Sequence, residues 1–456
     1  MEIQTNVKAP MTKDLLMKYT LLALFAIAFL SYFVFGLQSL IVSLISVGVA
    51  VGCDILLSKV MGSKGPKNTM SAIVFGLIVA LSYSLGNPTA MMSQTVYPVL
   101  AGGLEQYLYP ALISAVGLVV FKKVQGLAGR KYVNPAAIAK LLILGLLFLP
   151  MITDVNVLLP TDHSLSINLQ APLTEDVFAP TLITCYGDPN TALTRVLSAY
   201  SETGTFIPGI LIPASAFNMI VAKYHGWVGG FSSILVMAIG LLLFAVARNY
   251  IKWRITLSYL VATGVIAVIM GVIYCGDVIL TDITLRLLFH LFMGSSIFLA
   301  FFMATDPATT PLTHLGQLIF GVGLAVLTMV IQVYMGFLGG SILALVIMNV
   351  TSPILDRVGV PKARKERVVC ARLSKAKKFS EVMVTECIRC GRCLEVCSGR
   401  LPTVSIKEAA DKGDWARVKK LGVEYCQQCG TCSFVCPARI DLKAAMRVAK
   451  EKVQKQ

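Results

Sequence analysis

Over roughly its first 360 positions the chain alternates long unbroken apolar runs with short polar loops. The runs show none of the two-residue alternation of half-buried strands, so they predict helices that cross a hydrocarbon layer about 30 Å thick. Spans are expected at about 17–36, 38–60, 70–86, 97–121, 134–152, 228–247, 255–275, 284–304, 315–335 and 339–356. The stretch FIPGILIPASAFNMIVA (206–222) has two prolines and a short apolar core, which fits a re-entrant or interfacial element better than a span. Ten crossings with both termini in the cytosol put every basic loop inside, among them 61–69, 122–137, 247–254 and 357–372. The long stretch 153–205, with Asp154, Asp162, Glu175, Asp176, Asp188 and Glu202 against Arg195, is then outside. Residues 1–16 form a polar lead-in with no small-residue cleavage site after the first apolar run, so they are read as cytosolic rather than as a signal peptide.

The pattern changes after the last span. A basic linker (357–380) separates the membrane part (17–356) from a C-terminal unit (381–456). The linker has room to lie along anionic headgroups or to act as a solvated tether. The sequence DLKAAMRVAKEKVQ (441–454) has the periodicity of an amphipathic terminal helix.

Composition agrees with this division. The 456 residues are 56% hydrophobic and 14% charged, with a mean hydropathy of +0.75, which places most of the chain in lipid. A net charge of +16 could suggest nucleic acid, but the lysines and arginines fall between apolar runs and in the tail, as in a multi-pass protein of the cytoplasmic membrane.

Twelve cysteines add chemistry. The run CIRCGRCLEVC holds Cys387, Cys390, Cys393 and Cys397, and CQQCGTCSFVCP, beginning 39 positions later, holds Cys426, Cys429, Cys432 and Cys436. Both have the C-x2-C-x2-C-x3-C spacing of a two-cluster ferredoxin, in which three cysteines bind one cube and the fourth binds the other. Cluster one is assigned to Cys387, Cys390, Cys393 and Cys436, and cluster two to Cys426, Cys429, Cys432 and Cys397. A structural zinc site has no need of two such fourfold runs, and disulfides are disfavoured in a cytosolic segment. Pro437 follows the second run, whereas Ser398 stands at the matching place in the first, which should loosen one turn without removing a ligand. The expected fold is therefore an α-helical polytopic membrane protein of about ten spans with a small C-terminal α+β domain of the bacterial-ferredoxin type, carrying two 4Fe–4S clusters.

Ionisable residues at membrane depth are costly and are functional candidates. Glu105 and Asp54 are candidates for an ion path; Lys140 and Asp54 also lie where they could reach an interface. His290 could ligate a haem, but no second histidine lies at matching depth in another span. Cys185 and Cys275 both fall outside and could pair, while Cys53 and Cys370 read as inert thiols. Arg389, Arg392, Arg400 and Lys407 would form a basic surface attracting an acidic carrier such as a ferredoxin. The absence of a G-x-G-x-x-G fingerprint assigns any nicotinamide chemistry to a partner.

The stretches GLAGRKYVNPAAIAKLL (126–142), GWVGGFSSIL (226–235), HLFMGSSIFLAFFMATDPATTP (290–311) and LVIMNVTSPILDRV (345–358) resemble the D subunit of the Rnf complex and the related B subunit of the sodium-pumping NADH:quinone reductase. The tail resembles the ferredoxin-like end of the Rnf C subunit, so the chain looks like a fusion of two Rnf-type parts. The resemblance implies an FMN esterified to a threonine in an [ST]-G-A-T motif, and a second flavin bound noncovalently. Here the corresponding place reads GDPNTALT (187–194), which makes Thr194 the acceptor candidate but puts Leu193 beside it. The altered motif leaves two outcomes: attachment at Thr194, or an abandoned site with Thr194 an ordinary loop threonine, in which case the resemblance still allows a noncovalent flavin between the spans. Asp306 is implied in flavin or loop positioning. The function implied is that of a redox subunit of an ion-translocating, ferredoxin-dependent oxidoreductase. It would work with the other Rnf-type subunits (C, G, E, A and B-like) and would not be catalytic alone. The alternatives are a membrane transporter or scaffold with a ferredoxin-like docking or sensor module, and a quinone-reducing subunit.

Overall fold

The computed structural model describes residues 11–61, 69–83, 105–124, 131–143, 220–221, 227–274, 287–288, 290–292, 296–334, 340–360, 362–363 and 387–455. Part of every expected span lies on a helix. Among the described residues five helical segments are long and apolar enough to cross a membrane: Lys13–Phe35, Leu37–Val60, Tyr107–Val124, Trp253–Met270 and His314–Ile331. Thr69–Leu81, Ser233–Ala247 and Ser341–Leu355 are shorter apolar helices. The segments 153–205 and 206–219 lie outside the described residues.

The first helix, α1 (Lys13–Phe35), starts at Thr12, whose hydroxyl accepts the Leu15 N–H at 3.3 Å, and ends at Gly36 with φ 65°. Only glycine adopts that φ at no steric cost, and the turn feeds directly into α2 (Leu37–Met61). One face of α1 buries Leu24, Ile27 and Ala28; the other exposes Leu22, Phe25, Phe29 and Phe33. A helix apolar on both its packed and its exposed face is one solvated by lipid. The helix α7 (Trp253–Tyr274) repeats the pattern, exposing Leu257, Val261, Val265 and Ile269.

Between these lie α3 (Thr69–Leu81), α4 (Glu105–Val116, continued by a π-helical stretch Gly117–Val124), α5 (135–143) and α6 (Ser233–Ala247). Then follow α8 (Ser296–Phe298, continued by a π-helical stretch Leu299–Met303), α9 (His314–Tyr334) and α10 (Gly340–Leu355). A single hydrophobic core joins α1 to α10, and α9 packs against both α7 and α10. Gly321 lets α9 approach α7 closely: a Cβ there would stand 2.7 Å from the Ile255 carbonyl oxygen.

Polar side chains tie the helices together inside this core. Asn134 caps α5 by accepting the Ala136 N–H at 3.0 Å and donates to the Met303 carbonyl at 3.2 Å. Lys140, on α5, donates to the Ser82 carbonyl just past α3, with its ammonium 4.5 Å from the centre of the Trp227 ring.

Residues 387–455 form the tail: α11 (Arg392–Glu395), α12 (Thr403–Asp411), α13 (Trp415–Lys420), α14 (Thr431–Phe434) and α15 (Leu442–Gln454). No strand occurs among the described residues, so the expected α+β tail is helical here. The spacer between the cysteine runs carries amphipathic sequence that buries Val404, Ile406, Ala409 and Val418, the last three against Met446, Ala449 and Val453 of α15. That burial supplies the core a sheet would otherwise have provided.

Candidate cysteine-ligated site

The tail is an internal repeat with an offset of 39. Cys387 corresponds to Cys426, Gly391 to Gly430, α11 to α14, and the start of α12 to that of α15. In both copies the residue before the second cysteine, Arg389 (φ 53°) or Gln428 (φ 54°), is left-handed, and the glycine after it has φ 80° or 83°. Two such turns in quick succession bend the backbone around its own cysteines, and the second needs glycine. The last cysteine of each run closes an equivalent turn. Arg400 N–H reaches the Cys397 carbonyl at 2.9 Å, and Arg439 N–H reaches that of Cys436 at 3.1 Å. Ser398 in place of proline thus leaves the turn closed; the hydrogen bond holds it without a fixed φ.

These turns sort the eight thiols into two groups. Cys397, Cys426, Cys429 and Cys432 line one cavity, with about 440 Å³ of empty space counting its open mouth. Burial pushes the Cys432 thiol up to about 12, and its neighbours Cys397, Cys426 and Cys429 add to the rise. Burial likewise takes Cys390 up to about 12, with Cys387 and Cys436 adding, and it raises Cys393 beside Cys390, Cys387 and Cys436. Cys397 and Cys436 therefore each leave their own run and join the other. Cys393 and Cys432, one from each group, share a small apolar cluster with Leu312, Val404 and Leu442.

The donor set fits an anionic inorganic cluster. Backbone N–H groups of Arg389 and Leu401 point at Cys387 Sγ (3.4 Å) and Cys397 Sγ (3.3 Å). Arg389 Nε is buried without an acceptor among the described residues, a cationic donor held beside the first group. Among the described residues no group of three or more His, Cys, Asp or Glu side chains is placed to hold a metal ion.

The other candidates are placed as follows. Asp54 is buried and pairs with Lys123 at 2.6 Å. Glu105 begins α4, and its side chain lies outside the described residues, as do Thr194, Cys185, Cys275 and Cys370. Cys53 is a half-buried thiol, and His290 is buried, its carbonyl accepting from Ser296 Oγ at 3.3 Å. Asp306 shapes its own loop: Oδ1 accepts the Ala308 N–H at 3.1 Å and its carbonyl accepts from Thr310 Oγ1 at 2.7 Å.

The expected basic surface is only partly a surface. Arg389 is 4% exposed and ion-paired to Asp356 (2.5 Å) and Glu408; Arg392 pairs with Glu395 (2.8 Å), and Lys407 with Asp411. Arg400 alone of the four is an exposed residue without an ion pair among those found between described residues. Sequence reasoning missed two groups at this end of the bundle. Asp356 lies near the end of the stretch LVIMNVTSPILDRV, and Lys252 sits in the hinge ARNYIKWR. Lys252 Nζ donates to the Pro307 carbonyl (2.9 Å), the Thr310 carbonyl (2.8 Å) and Thr310 Oγ1 (2.9 Å). Its burial pulls the ammonium down to about 7, and Arg389 adds to the fall.

Among curated proteins, the D subunit of the Na(+)-translocating ferredoxin:NAD(+) oxidoreductase complex of Acetobacterium woodii is 25% identical over 367 residues, covering 79% of this chain and 95% of that protein. The D subunit of an ion-translocating oxidoreductase complex of Cronobacter sakazakii is 26% identical over 370 residues (78% and 95%). The D subunit of the proton-translocating ferredoxin:NAD(+) oxidoreductase complex of Clostridium ljungdahlii is 32% identical over 146 residues (31% and 41%). The matched family model ends before Cys387, and by its match to residues 1–365 the chain belongs to the NQR2, RnfD, RnfE family.

Proposed function

We propose that the chain is a redox subunit of an Rnf-type ion-translocating, ferredoxin-dependent oxidoreductase, with its own two-cluster ferredoxin-like tail. The observation that carries this reading is the gathering of eight thiols into two groups of four by exchange of Cys397 and Cys436. When bound, two 4Fe–4S clusters would supply one-electron chemistry. This chain's residues would hold them: Cys387, Cys390, Cys393 and Cys436 the first, and Cys426, Cys429, Cys432 and Cys397 the second. The backbone N–H groups of Arg389 and Leu401 would stabilise negative charge on the sulfurs, and the apolar layer around Cys393 and Cys432 would keep water from between the groups.

The same reading takes ten spans with the N-terminus and tail in the cytosol, Thr194 as a covalent FMN acceptor, a noncovalent flavin among the helices, and Glu105 and Asp54 on an ion path. Its partners are other Rnf-type subunits and an acidic soluble carrier of the ferredoxin kind. The test is an anaerobic titration of the purified full chain with reduced ferredoxin, with in-gel flavin fluorescence of wild type and Thr194→Ala. Stoichiometric bleaching of the visible spectrum, and fluorescence lost in the variant, are expected. A protein that takes no electrons from ferredoxin sinks the reading.

A second reading, a membrane scaffold with a ferredoxin-like docking module, is favoured by the ion pairs that bind the tail to the helix ends. It predicts the same docking without flavin.

A further inference from the structure

The two halves of the tail share a backbone but not a neighbourhood, and two of the side chains that differ lie between the first and second cysteine of each run. In the first turn Ile388 and Arg389 stand where the second has Gln427 and Gln428. Ile388 is buried against Leu16, Ala247 and Tyr250 at the ends of α1 and α6, whereas Gln427 is exposed.

Arg389 reaches further. Its guanidinium meets Asp356 at the end of α10 and Glu408 on α12, and the second oxygen of Asp356 accepts the Leu312 N–H at 2.8 Å. One carboxylate thus joins the first cysteine turn, the end of α10 and the loop before α9. Three contacts surround it: Lys13 N–H to the Pro437 carbonyl (3.1 Å), His314 to Glu395 (3.2 Å), and Leu312 against Cys393. The left-handed backbone at this position belongs to the cysteine turn, since Gln428 has it too. The arginine side chain is what the first turn adds. The second group has its cavity walled by tail residues, Lys443 and Met446 among them.

We infer that Arg389 and Asp356 form a clasp seating the first cysteine group on the ends of the membrane helices, so that this group is the membrane-side one and the second faces away. Arg389 is a positioning residue: it sets where Cys387 and Cys390 stand relative to α9 and α10. What the clasp positions rests on the cluster reading above; that it exists does not.

The test uses the full-length protein in nanodiscs with Arg389→Gln, which copies the residue the second turn already tolerates, and Asp356→Asn. Hydrogen exchange is followed by mass spectrometry, with iron and acid-labile sulfide measured on the same samples. Exchange in peptides over 310–314 and 387–393 should accelerate by about tenfold or more in both variants, because a buried charge loses one of its ionic contacts. Peptides over 426–432 should keep their wild-type rates. In the reduced protein, the spectrum and midpoint potential of one cluster should change while the other stays as it was. Unaltered exchange in both variants overturns the clasp. So does loosening that spreads equally to 426–432, since Arg389 would then serve only the tail's own folding. A wild type free of iron and sulfide would strike the cluster reading instead, leaving the exchange rates to decide the clasp.

Discussion

Cys397 and Cys429 stand in the wall of one cavity although they belong to different cysteine runs. The exchange predicts which variant harms which group. Cys397→Ser should cost about four of about eight irons per chain and remove the signal of the second cluster, and Cys436→Ser should remove that of the first. Electron paramagnetic resonance of the two reduced variants separates these outcomes. Loss of the first cluster in Cys397→Ser would contradict the crossed pairing.

A pH dependence follows from the buried thiols. Cys390 and Cys432 titrate at about 12 in the folded metal-free tail, against an ordinary 9.0. The unfolded chain gives up these protons first, so metal-free stability is full below about pH 9 and falls as pH rises toward about 12. Thiols already held as thiolates by metal have no proton to lose in that window. Circular dichroism on iron-free and loaded protein should show alkaline unfolding of the tail in the first only; equal sensitivity would count against metal ligation.

Lys252 is a local strut. Replacing it by Met keeps the volume but strands three acceptors at Pro307 and Thr310. A cost of about 3 kcal/mol is expected, read as a fall of several degrees in melting temperature. An unchanged melting temperature would show that the 307–310 loop is held by other contacts.

The Asp54–Lys123 pair joins a buried carboxylate to a partly exposed ammonium. Lys123→Ala takes the ammonium at 2.6 Å away from the buried Asp54 carboxylate and should destabilise by roughly 3 kcal/mol, while Asp54→Leu with Lys123→Leu should recover much of the loss. Thermal unfolding of the singles and the double closes the cycle. A double variant as unstable as the single would locate the cost elsewhere.

Much of this was legible in the sequence, for identifiable reasons. Apolar runs announce helices because burial and lipid make the same demand; the crossed ligation by Cys397 and Cys436 is a proposal that the cysteine spacing suggests because ligand reach is short. The helical character of the spacer 398–425 was not legible: a ferredoxin spacing constrains the turns and leaves the intervening chain free to bury Ile406 and Val418 on helices. Arg389 was misread as surface for a different reason. Charge pattern gives the usual fate of an arginine, and only the fold brings Asp356, 33 positions earlier, within reach of it. Topology keeps its own test: a reporter at residue 170 should lie outside and one at 365 inside, and both on one side would break the ten-span arrangement.

The most direct measurement of the central claim is iron and acid-labile sulfide in the anaerobically purified full-length chain. About eight of each per chain is the predicted result. Zinc without sulfide, or no metal with all eight cysteines free to alkylation, would contradict it.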